Sequence, residues 1–154
     1  MPDLDRADRR ILREVQEDAE RTSEAIADAV GLSPSAVQRR IQRLKKDGVI
    51  DRVVALVDPR AVGRTVTVVV EIEVDNERRP ALAGFYKWVA VQPEVQCCWG
   101  VTGDIDYVML VVVRDLDAYA AFIDRMMEEQ PLVRRYQSRI AIKTIKRGLV
   151  VETD

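Results

Sequence analysis

The sequence predicts an α+β chain: a helix-turn-helix with a small wing over residues 1–60, then a ferredoxin-like β-α-β-β-α-β domain over residues 61–154. Three observations predict it. The junction Gly31-Leu32-Ser33-Pro34 lies between two short amphipathic patterns, as in the turn of a helix-turn-helix. The stretch Asp58 to Arg64, with Pro59 and Gly63, reads as a hinge. Beyond it, apolar periodicity alternates between strand and helix spacing in the order β-α-β-β-α-β.

Asp5 is placed to cap the first helix, with Asp8 adding an acid near its positive end. Ala7, Ile11, Leu12 and Val15 give it an apolar stripe that stops near Asp18. Thr22 or Ser23 caps a second, short helix through Ile26, Ala29 and Val30, and Gly31 suits its C-terminus. Ser33 is an N-cap and Pro34 the first helical residue of a third helix, with Val37, Ile41 and Leu44 as its buried line and Gly48 as its end. Val53 to Val57 reads as a strand pair or wing.

In the second domain, Thr65–Val74 is a valine-rich strand. Pro80 opens a helix whose face is Leu82, Phe85, Trp88 and Val89. Val95–Thr102 and Tyr107–Val113 form strands joined by Gly103-Asp104-Ile105-Asp106. Leu116, Tyr119, Ala120, Ile123 and Met127 mark a second helix, and Val133–Ile145 a long last strand. With both helices on one sheet face, the other face is left bare and apolar, so a second subunit is expected to cover it.

Composition narrows the function. Of 154 residues, 47% are hydrophobic and 32% charged, a globular balance. The net charge of -2 hides an uneven distribution. Eight acids and five bases lie between Asp5 and Asp28, whereas six bases and two acids lie between Arg39 and Arg52. There is no histidine, and no metal cluster, phosphate loop or nucleophile–base pair stands out, so an enzyme is not expected. The adjacent Cys97 and Cys98 point to opposite faces of a strand and suggest packing in a reducing cytoplasm. No signal peptide, membrane span or bound cofactor is expected.

A helical wheel puts Ser35, Arg39, Gln42, Arg43 and Lys46 opposite the buried line of the third helix, with Arg40 on its flank. Arginine and glutamine make paired hydrogen bonds to base edges, so Arg39, Gln42 and Arg43 are candidate readers of double-stranded DNA. Lys46, Arg40, Ser33, Ser35 and, in the wing, Arg52 are candidate backbone contacts. The same pattern also suits a helical module that binds protein, and the residues alone leave both open. In the loop, Asp104 and Asp106 offer acceptors for an ammonium group and the backbone around Gly103 offers N–H groups for a carboxylate. On the residues alone, a solvated hairpin in which aspartate fits the turn is the favoured reading. Trp88 and Trp99 read as core.

Three motifs in order carry a family resemblance: Leu4-Asp5-Arg6-Ala7-Asp8-Arg9-Arg10-Ile11-Leu12; Gly31 to Ser35 followed by Arg40 to Leu44 and Gly48-Val49-Ile50; and Val101 to Tyr107. Together they resemble the Lrp/AsnC family of bacterial and archaeal regulators. The resemblance implies a winged helix-turn-helix with a ferredoxin-like effector domain, a homo-oligomer built from dimers, a cytoplasmic, nucleoid-associated place of action, and a free amino acid held between dimers. It implies Trp99, Gly103, Asp104, Asp106 and Tyr107 as effector residues. Trp99 stands where the leucine-responsive member has histidine, which argues for an effector other than leucine. The expected function is a sequence-specific transcriptional regulator; the alternative is an amino-acid-sensing architectural DNA binder of broad preference.

Overall fold

The structure, a computed structural model, describes residues 3–75 and 82–153. Two compact units emerge: Met1–Leu56 together with Lys146–Asp154, and Val57–Ile145.

In the first unit, α1 (Arg6–Glu17), α2 (Ser23–Val30) and α3 (Pro34–Lys46) follow the expected boundaries. Asp5 and Asp8 form a reciprocal capping box on α1. Thr22, rather than Ser23, caps α2 by accepting from the Ala25 N–H. Gly31 ends α2 at φ 72°, a left-handed conformation in which a Cβ is costly. The turn to α3 is thereby held to a few residues. Ile11, Leu12, Ile26, Ala27, Val30, Val37 and Leu44 form the core that all three helices share.

One expectation for this unit is corrected. No strand is assigned to residues 51–58, and Val53, Val54 and Leu56 are exposed. A β-branched run supplies propensity, but a strand also needs a ladder partner. Residues 146–154, assigned by sequence to the second domain, cluster with the first unit. The Gln16 side-chain amide donates to the Val151 carbonyl at 3.0 Å and accepts from the Val151 N–H at 2.9 Å, and the Thr153 hydroxyl donates to the Arg9 carbonyl at 3.1 Å.

The second unit holds a one-turn 3-10 helix (Pro59–Val62), then β1 (Val66–Val74), α4 (Leu82–Val91), β2 (Val95–Gly100), β3 (Tyr107–Val113), α5 (Leu116–Glu129) and β4 (Val133–Ile140). The sheet order is β2-β3-β1-β4, with every neighbour antiparallel. Each helix therefore links strands separated by one other strand, the interleaving of a ferredoxin-like fold. The expected start of α4 at Pro80 lies outside the described residues. β4 is shorter than expected because Ala141, bonded to the Thr67 carbonyl, meets the start of β1, and no strand is assigned past it.

The alternate residues Val68, Val70, Ile72 and Val74 of β1 pack with Met109, Val111 and Val113 of β3 against Phe85, Trp88, Phe122, Ile123 and Met126. The buried stripe of α5 thus runs through Phe122 and Met126, whereas Leu116 and Met127 are exposed. The other sheet face is half apolar and half charged. Register places Val69, Val108, Leu110, Cys97 and Trp99 there, beside Glu71 and Glu73, which pair with Arg139 and Arg134. The expected bare apolar face is thus crossed by cations of β4, Arg134 and Arg139, each paired with a glutamate of β1. Cys97 and Cys98 are free thiols on opposite faces, and burial raises the Cys98 pKa.

Candidate functional site

Ser33 starts α3 by accepting from the Ala36 N–H at 3.3 Å, and Pro34 needs no partner for the N–H it lacks. Val37 and Leu44 are buried on the inner side. With that seam fixed, Ser35, Arg39, Gln42 and Lys46 lie on the exposed side. The side chains of Arg39, Gln42 and Lys46 make no ion pair or hydrogen bond among the described residues. They are available to base edges and phosphates. Ser33 is a cap, and its hydroxyl also lies 3.2 Å from that of Ser35.

Arg40 and Arg43 are placed differently. Arg40 Nη1 donates to Asp5 Oδ2 at 2.7 Å and to Asp8 Oδ1 at 2.8 Å. Arg43 Nη2 donates to Asp8 Oδ2 at 2.5 Å. The Asp8 N–H and the Arg40 guanidinium hold the Asp5 carboxyl below the usual range. Hydrogen bonds to Asp8 and Asp5 raise Arg40 above its ordinary value. The two arginines expected to face DNA thus turn toward α1. A wheel gives the azimuth of a side chain and not the neighbour that helix packing sets beside it.

Two residues of α1 with a part in the site were missed. One is Asp8 as a partner of α3. The other is Arg10, whose guanidinium donates to the Val30 carbonyl at 3.1 Å and also to that of Ala29, satisfying the free C-terminal carbonyls of α2 at the turn. The signal for the first was present: acids concentrated before residue 28 and bases after residue 39. Arg52 is exposed and lies 3.7 Å from its neighbour Asp51.

In the second unit, Gly103 bends the β2–β3 loop at φ 119°. Asp104 is exposed, but Asp106 is built into the fold. Its N–H donates to the Ile72 carbonyl, its carbonyl accepts from Val101, and its carboxylate accepts from the Val74 N–H at 2.8 Å. The Tyr107 ring lies 5.2 Å from that of Phe85 and 6.0 Å from that of Tyr86, and the two tyrosine hydroxyls are 2.7 Å apart. Burial first, and the bond to Tyr86 second, push the Tyr107 hydroxyl up to about 12. Trp99 pairs with Val108 on the opposite sheet face and is 52% exposed. The five expected effector residues are therefore not brought together within one chain. Trp99 is also not the core residue expected, since among the described residues α4 and α5 pack on the other face of the sheet.

A reading head of three helices followed by a ferredoxin-like unit with an open sheet face defines a class: DNA-binding transcriptional regulators with an attached ligand-binding domain. Residues 4–51 match the winged helix-turn-helix DNA-binding family, and residues 67–151 match the Lrp/AsnC ligand binding domain. The chain belongs to the Lrp/AsnC family of transcriptional regulators. It is 37% identical to an HTH-type transcriptional regulator of Sinorhizobium fredii over 97% of this chain and 88% of that one. It is 32% identical to the transcriptional regulator AzlB of Bacillus subtilis, over 98% and 96%. An AsnC family regulator from Agrobacterium tumefaciens superposes with a TM-score of 0.90 at 40% identity, covering 96% of each chain. A regulator from Neisseria meningitidis, solved as a complex with L-Met, superposes with a TM-score of 0.88 at 28% identity, covering 95% and 94%.

Proposed function

We propose that this regulator reads double-stranded DNA with the exposed face of α3, in paired subunits, and is switched by a free amino acid. Arg39 and Gln42 contact base edges, and Lys46 and Ser35 contact the phosphate backbone. The observation that carries this reading is that these side chains point outward from a buried seam while Arg40 and Arg43 are held by carboxylates. Earlier expectations for Arg40, Arg43 and Ser33 as contacts are replaced by positioning and capping roles. Arg52 is left as a peripheral backbone contact.

Pairing of subunits follows from the mixed sheet face, whose Val69, Val108, Leu110 and Trp99 gain from burial against a second copy. A pair of heads reads two half-sites, which offsets the weak electrostatic attraction of a chain with net charge -2. The ligand class is supported by the L-Met complex of the Neisseria meningitidis regulator. Gly103 and Asp104 are the loop groups free to meet such a ligand, with a second dimer closing the pocket. Its action is a difference in affinity between assembly states. The place of action is the cytoplasm, on the nucleoid.

Binding of wild type, Arg39→Ala and Lys46→Ala to selected and random duplexes tests the DNA reading. Arg39→Ala weakens the selected duplex about 5–150-fold, the loss of about 1–3 kcal/mol that one paired base contact supplies. Lys46→Ala weakens both duplexes alike. Unchanged affinity in both variants would refute the reading, and equal binding of all sequences by wild type would favour an architectural protein.

A further inference from the structure

Asp8 is the one charged side chain among the described residues that the first unit buries almost fully, at 1% exposure. Both its oxygens are used. Oδ1 accepts from Arg40, and Oδ2 accepts from Arg43 and, at 3.2 Å, from the Asp5 N–H. A buried carboxylate is tolerated only when it is paired in this way. Asp5 supplies a second acceptor to Arg40. Two carboxylates of α1 thereby neutralise two guanidinium groups of α3. Of the five cations on that helix, only Arg39, Lys45 and Lys46 remain without a carboxylate partner among the described residues.

We propose that Asp8 is a specificity-determining positioning residue: it withholds Arg40 and Arg43 from the DNA backbone and spends them on locking the azimuth of α3 against α1. This rests on the reading of α3 as the helix that enters DNA. The physical logic lies in the difference between two kinds of contact. Non-specific binding grows with the number of phosphates neutralised and tolerates many arrangements. Base reading needs one arrangement, because paired hydrogen bonds fail when a helix rotates. Two mobile arginines on the flank of α3 would add attraction in every register. Held by Asp8, they add rigidity in one.

The test uses the full chain. Wild type, Asp8→Asn and Arg43→Gln are titrated against a duplex selected by wild type and against a random duplex, between 50 and 200 mM salt as the usual window for such slopes. Circular dichroism checks that each variant is folded. Asp8→Asn releases Arg43 and leaves Arg40 on Asp5 alone, so random DNA is bound more tightly with a salt slope steeper by about 0.9 per head, the contribution of one phosphate. The ratio of selected to random affinity falls at least about tenfold, the size of one lost base contact. Affinities that fall together at an unchanged slope are what a purely structural acid gives, and overturn the proposal. Should Asp8→Asn fail to fold, Arg43→Gln decides. Its slope on random DNA stays at the wild-type value while the selected duplex weakens; a slope reduced by about 0.9 shows that Arg43 already touches phosphate, and overturns the proposal. Indifference of both duplexes to Arg39→Ala sinks the reading of α3 itself. Retained dependence on Arg39 with an unmoved Asp8→Asn slope sinks only the role given to Asp8.

Discussion

Leu44→Ala separates the two units most sharply. Leu44 is 1% exposed, belongs to the core that α1, α2 and α3 share, and its carbonyl accepts from the N–H groups of both Val49 and Ile50. Truncating a buried leucine costs about 2–5 kcal/mol, because the transfer energy of the lost carbons is joined by that of a cavity. A unit the size of Met1–Leu56 has a total stability of about 3–8 kcal/mol, so the substitution removes much of it. At about 3 kcal/mol and a slope of about 1 kcal/mol per M, its urea midpoint falls by about 3 M. Both tryptophans, Trp88 and Trp99, lie in the other unit, Val57–Ile145. Tryptophan fluorescence therefore follows that unit, while far-UV circular dichroism follows the helices of both. The expected outcome is a dichroism transition that splits, with an early helical loss, while the fluorescence midpoint stays where it is in wild type. DNA binding is lost along with the early step. A fluorescence midpoint that moves as far as the dichroism, or a variant in which neither moves, would refute the reasoning.

Two further outcomes concern the second unit. Asp106→Ala leaves the Val74 N–H without its acceptor, at a cost of about 1–3 kcal/mol, and lowers the fluorescence midpoint without touching the head. The Tyr107 hydroxyl has a folded-state pKa raised from 10.0 to about 12, so the stability it supports is complete below pH 10 and is lost as pH rises towards 12. Thermal melting followed by fluorescence across that window is expected to show a fall that Tyr107→Phe reduces; identical pH profiles for the two proteins would contradict it.

The start of α3 was legible because Ser33 and Pro34 each do one local job, capping and fixing φ, that no distant contact overrides. The ends of β1 and β3 were legible because turn residues stand beside them. What the sequence hid depends on partners. Arg40 and Arg43 have the chemistry of DNA contacts, and only packing of α1 beside α3 assigns them to Asp5 and Asp8. Val53–Val57 has strand propensity without a ladder. Trp99 and Tyr107 are close in sequence and were grouped in one pocket, yet the register of β2 with β3 sends them to opposite faces. Gln16 could not announce that residues near 151 return to α1.

The most direct measurement is selection of bound duplexes from a random pool by wild type and by the Arg39→Ala/Gln42→Ala double variant, with α3 intact in both. The wild-type chain should enrich a motif with two related half-sites, and the double variant should enrich none while still binding DNA weakly through Lys46. Recovery of the same motif by the double variant would mean that the exposed face of α3 does not read the sequence.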